Sequence, residues 1–169
     1  MKLIDILEDQ NSSEETQLRM LKQDLRYIGG FPDPTIRVQQ KALHLACIVD
    51  GGNVPVVKIM DKKGYCTEEN QLAVVHKDWP AIEVLLRAGV TVPESVMLAA
   101  VSKNGAALHI IYIVIKDLPK AVVTTALTEP NFIHMGTDFY GQFVKDYFKD
   151  NTVLMNKWLR YRDNMRDIK

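Results

Sequence analysis

Leu72-Ala73-Val74-Val75-His76-Lys77, followed by Ala81-Ile82-Glu83-Val84-Leu85-Leu86-Arg87-Ala88-Gly89, is the stretch on which the fold turns. Set Leu72 against Leu98 and the next stretch aligns with it without a gap, 26 residues on. Ala73 meets Ala99, Val75 meets Val101, Lys77 meets Lys103, Ala81 meets Ala107 and Ile82 meets Leu108. One unit upstream, Leu45-Ala46 meets Leu72-Ala73 at an offset of 27. Gly52-Asn53-Val54-Pro55-Val56-Val57-Lys58-Ile59-Met60, then Gly64, completes that copy. Self-similarity at a fixed period predicts helical units stacked so that each covers its neighbour's apolar face. The Ala after each Leu is small enough to let the two helices of one unit approach closely. A degraded fourth copy surrounds Ala126-Leu127.

Helix punctuation recurs along the chain. Ser12 with Glu15 makes a capping-box pattern, and Leu18, Leu21, Leu25 and Ile28 follow at helical spacing. Gly29-Gly30 stops that helix, Asp33-Pro34 opens the next as N-cap and first helical residue, and Val38, Ala42, Leu45 and Val49 carry it towards Gly51-Gly52. Further helices are expected from Val54 to near Gly64, from a Thr67 cap, from Asp78 to Gly89, from Pro93-Glu94 to Asn104-Gly105, over Ala106–Lys116, and from Pro119 through Ala121–Leu127. Short connections between short helices imply antiparallel neighbours.

Leu43-His44-Leu45-Ala46 and the segments Gly52 to Gly64 and Leu72 to Gly89 resemble ankyrin repeats, over roughly Pro34 to Lys116. The departure from that family is the period: 26 or 27 residues where ankyrin units take about 33. The shortfall lies where ankyrins carry a β-hairpin finger, and the connection inside the first unit is longer by two. The resemblance implies an all-α fold of stacked helical hairpins, an ankyrin-like α-solenoid without fingers, with helical N- and C-terminal caps. Within a single domain 1–169, it divides the chain into an N-terminal cap (1–32), ankyrin-like repeats (33–117), and a degenerate repeat with a C-terminal cap (118–169). It also gives His44 the family's role of hydrogen-bonding neighbouring turns.

Lys+Arg and Asp+Glu both total 21, which removes a global field for nucleic acid or an anionic membrane. Two cysteines make no disulfide framework, and the longest apolar run, Leu108 to Ile115, is too short to span a bilayer. A cytoplasmic protein with no membrane partner is the expectation. His44, Cys47, Cys66 and His76 match no zinc-ligand spacing, and no catalytic triad, carboxylate pair or phosphate loop is assembled, so neither metal, cofactor nor enzyme is expected. An enzyme with dispersed catalytic residues is the outlying alternative. Trp79 aligns with a core position of a second helix.

A repeat stack offers a surface rather than a catalytic pocket. The expected function is a protein-binding module, an adaptor or a blocking inhibitor of another protein, working through the stacked first helices. The candidate contacts are Arg37, Lys41, Gln71, Met97 and Lys103. A second reading is nucleic-acid or acidic-partner binding through Lys157, Arg160, Arg162 and Arg166 of a basic final helix. Self-association through the aromatic stretch Tyr140–Phe148 is a third.

Overall fold

In the computed structural model the described residues are 13–129 and Asn156, and every regular element among them is helical. The elements are α1 (Glu14–Gln23), a 3-10 helix η1 (Leu25–Gly30), α2 (Ile36–Ile48), α3 (Val54–Lys62), α4 (Glu68–Lys77), α5 (Ala81–Ala88), α6 (Glu94–Lys103), α7 (Ala107–Val114) and α8 (Lys120–Thr128). They pack in chain order as two rows. In the first, α1 lies on α2, α2 on α4, α4 on α6 and α6 on α8. In the second, η1 lies on α3, α3 on α5 and α5 on α7.

Local chemistry explains the helix ends. The Thr67 hydroxyl accepts the amide hydrogen of Asn70 at 3.3 Å, and Glu68 and Glu69 sit in the first turn, where the helix dipole favours negative charge. Gly89 has φ 77°, a left-handed conformation costly for any residue with a Cβ, and its N–H reaches back to the carbonyls of Leu85 and Leu86. Pro93 and Pro119 precede α6 and α8, where a missing N–H costs nothing.

Other ends fall elsewhere than local motifs suggest. The N-cap of α1 is Ser13, whose Oγ accepts from the Thr16 amide. The Leu18–Ile28 stripe is not one helix. Asp24 breaks it, accepting the Arg26 amide hydrogen on its side chain at 2.9 Å, and the chain continues as η1. Thr35, not Asp33, caps α2, and Val49 lies beyond its end, exposed. Asp78 ends α4 rather than opening α5, and Trp79 sits half-buried in the turn between them.

The buried positions of the first row repeat more regularly than the residue types do. Ala42-Leu43-Ala46-Cys47, Asn70-Gln71-Val74-Val75 and Val96-Met97-Ala100-Val101 are all buried, at i, i+1, i+4 and i+5 of successive helices. Val122, Val123 and Ala126 hold the same places on α8, and Gln17, Met20 and Leu21 on α1. In the second row, Val56-Val57-Met60, Ala81-Ile82-Leu85 and Ala107-Leu108-Ile111 are each almost fully buried. Burying one such Val, Leu, Ile or Met side chain contributes about 1.5–3 kcal/mol. Ala42, Ala46, Ala100 and Ala126 are the fully buried small residues of the first row; Ala73 is only half-buried.

Among the described residues, three polar ones stand inside the first row, Gln17, Asn70 and Gln71. Gln71 donates from Nε2 to the carbonyl oxygens of Cys66 (2.8 Å) and Thr91 (3.1 Å). Asn70 donates from Nδ2 to the Tyr65 carbonyl and to Gln39 Oε1, both at 2.9 Å. These amides tie α4 to the loops before it and after α5, and to Gln39 of α2.

Candidate functional site: a cationic groove over α2

Arg37, Gln40, Lys41 and His44 form one stripe along α2, opposite its buried face of Val38, Ala42, Leu43, Ala46 and Cys47. Because α1 and α4 flank α2, this stripe becomes the floor of a groove rather than a convex surface. The groove has a volume of about 480 Å³. Leu18 and Lys22 of α1 line one side; Ala73, Val74 and Lys77 of α4 line the other. Four cations therefore surround a partly apolar trough, and none of the lining residues is an acid.

The cations differ in how far the protein engages them. Arg37 Nη1 donates to Glu14 Oε1 at 2.7 Å, and Thr35 Oγ1 donates to Glu14 Oε2 at 2.7 Å. The Thr35 hydroxyl, and after it Arg37, hold the Glu14 carboxyl below its ordinary pKa. Lys22, Lys41 and Lys77 form no ion pair within the described residues. The groove's uncompensated charge rests on these three lysines.

His44 stands among them with its Nδ1 buried and without a hydrogen-bond partner. Burial, and then the charges of Lys77 and Lys41, hold its pKa below the ordinary value. The turn-bridging role expected of His44 is not made by it. Gln71 and Asn70, one helix further on, bridge the loops instead.

Arg37 and Lys41 lie in the groove as first-row surface residues, and Lys103 is exposed at the end of α6, outside it. Gln71 (1% exposed) and Met97 (6%) are not surface contacts: each occupies the second buried position of its helix, facing the neighbouring first-row helices. Lys157, Arg160, Arg162 and Arg166, like the stretch Tyr140–Phe148, lie outside the described residues. Lys22, Gln40 and Lys77 belong to the groove but carry no motif. The one sequence signal for Lys77 is its alignment with Lys103, and for Gln40 its place in the polar stripe of α2.

The thiols offer no reactive centre. Burial pushes both Cys47 and Cys66 up to about 12, so neither is a thiolate at neutral pH. Among the described residues, no group of three or more His, Cys, Asp or Glu side chains converges to hold a metal ion, and no helix is long and apolar enough to cross a membrane. Comparison of the chain with protein-family models, with curated proteins and with solved structures finds no match.

Proposed function

We propose that this chain is a protein-binding module, built as an ankyrin-like stack of fingerless helical hairpins with helical end caps, that engages its partner through the first-row face. The carrying observation is the groove over α2, where three lysines without an ion pair among the described residues, and Arg37, border an apolar trough formed by Leu18, Ala73 and Val74. Such a surface recognises by shape and charge and needs no covalent chemistry. Bound there, the chain acts as an adaptor or as a blocking inhibitor.

The test is affinity capture from native lysate with nuclease present, using the wild-type chain beside a Lys41→Glu/Lys77→Glu variant. A protein retained by the first and lost by the second supports the reading. Equal retention by both overturns it. Retention seen only when nuclease is left out moves the function to nucleic acid.

A further inference from the structure

Resting on the protein-binding reading, we propose that the groove over α2 is a proton-tuned site for an acidic segment of a partner protein, with His44 at its floor taking the proton. Charge complementarity selects the occupant. Lys22 from α1, Arg37 and Lys41 from α2 and Lys77 from α4 converge on a trough with no lining carboxylate. A carboxylate-rich segment supplies the missing anions, while its apolar side chains seat on Leu18 and Ala73. A nucleic-acid backbone fits less well: the groove offers no aromatic side chain for a base to stack on, and Glu68, Glu69 and Glu94 open the following first-row helices with negative charge.

The role of His44 follows from what surrounds it. Burial, then Lys77 on α4 and Lys41 on its own helix, disfavour an imidazolium, while Arg37 on the same helix is already paired with Glu14 of α1. Asp78, at the end of α4, opposes them weakly, and η1, α3 and α5 contribute no residue to the groove. Among the described residues Nδ1 has no hydrogen-bond partner, so no carboxylate among them is bonded to it. An acidic ligand reverses that balance, because its carboxylates offset the lysines and favour the proton. By linkage, ligand and proton then bind cooperatively, and affinity rises as pH falls through the histidine range.

The experiment is fluorescence anisotropy of the full chain with a labelled Glu/Asp-rich peptide interspersed with Leu, its Gln/Asn counterpart, and an oligothymidylate of similar length. The acidic peptide should bind, and about three- to tenfold more tightly near pH 5.5 than near pH 7.5. Salt should weaken it. Lys41→Gln/Lys77→Gln should lose binding, and His44→Gln should bind equally at pH 5.5 and pH 7.5, whatever its affinity, with circular dichroism confirming that both variants are folded. Equal binding of the neutral peptide, tighter binding of the oligothymidylate, or an acid gain that persists in His44→Gln would each overturn the proposal. If no peptide binds while a captured protein is still lost on Lys41→Glu/Lys77→Glu, the acidic-ligand inference falls and the protein-binding reading stands.

Discussion

From α4 to α8 the first helices begin 26 residues apart, at Glu68, Glu94 and Lys120, and the second helices at Ala81 and Ala107 keep the same interval. From α1 to α3 the spacing loosens. A 3-10 turn takes the place of a second helix, α2 has 13 residues where α4 has 10, and the loop from α2 to α3 has two residues more than the one from α4 to α5. Both regions bury the same positions of their first helices. They differ in what the burial leaves outside. In the looser one, α2 lies recessed between α1 and α4, and its extra first turn carries Arg37 and Gln39. Regular spacing builds the core, and the departures from it shape the groove over α2.

The largest effect that would break this comparison lies in the regular region. Leu85, fully buried on α5, should cost about 2–5 kcal/mol when replaced by Ala, read by urea denaturation. An unchanged midpoint would mean that the second row is not part of the core.

The long loop sharpens the comparison. Gly51 and Gly52 both have positive φ, at 73° and 69°, so alanine at either should cost about 1–2 kcal/mol. Only Gly52 also lies against a neighbour: a Cβ there would stand 2.5 Å from Val84 Cγ2. Gly52→Ala should therefore lose roughly a further 1–3 kcal/mol beyond Gly51→Ala. Equal losses would show that the loop does not rest on α5.

A third pair separates core from groove. Ala100→Leu should overpack the first row at a cost of about 1–3 kcal/mol, whereas Ala73→Leu, on the wall of the groove, should stay within about 0.5 kcal/mol. Comparable losses in thermal melts would put Ala73 in the core.

The smallest effect is on pH dependence. Burial, with Lys77 and Lys41, lowers the pKa of His44 in the folded chain, so the unfolded chain binds the proton first. Its contribution to stability is complete above the ordinary value of 6.5 and declines as pH falls below it, until the folded ring also protonates. The stability of the wild type relative to His44→Gln should therefore fall between pH 7.5 and 5.5. A constant difference would mean that the ring does not feel the lysines.

What was legible in the sequence was local. Thr67, Gly89, Pro93 and Pro119 mark helix ends through their own backbone chemistry, and the 26-residue offset maps helix onto helix. The break at Asp24 was not legible, because Leu18, Leu21, Leu25 and Ile28 keep a helical spacing whether the turns are α or 3-10. Gln71 suggested a surface residue by its polarity and Met97 by its flexibility, but the register sets both inside, where the two loop carbonyls give Gln71 a reason to be there. Arg37 and Lys41 were found as polar positions of a first helix. The concavity around them was hidden, because it comes from α1 and α4 rising on either side of α2, a relation that no single stretch encodes.

The two bonds of Gln71 also bear on how the molecule carries load. Cys66 lies in the loop that follows α3, and Thr91 in the loop that follows α5, so one side chain spans two successive hinges of the array. A chain of hairpins that touch only their neighbours yields under tension one hinge at a time. Opening either loop here costs one of the two bonds of Gln71, so the side chain opposes extension at both.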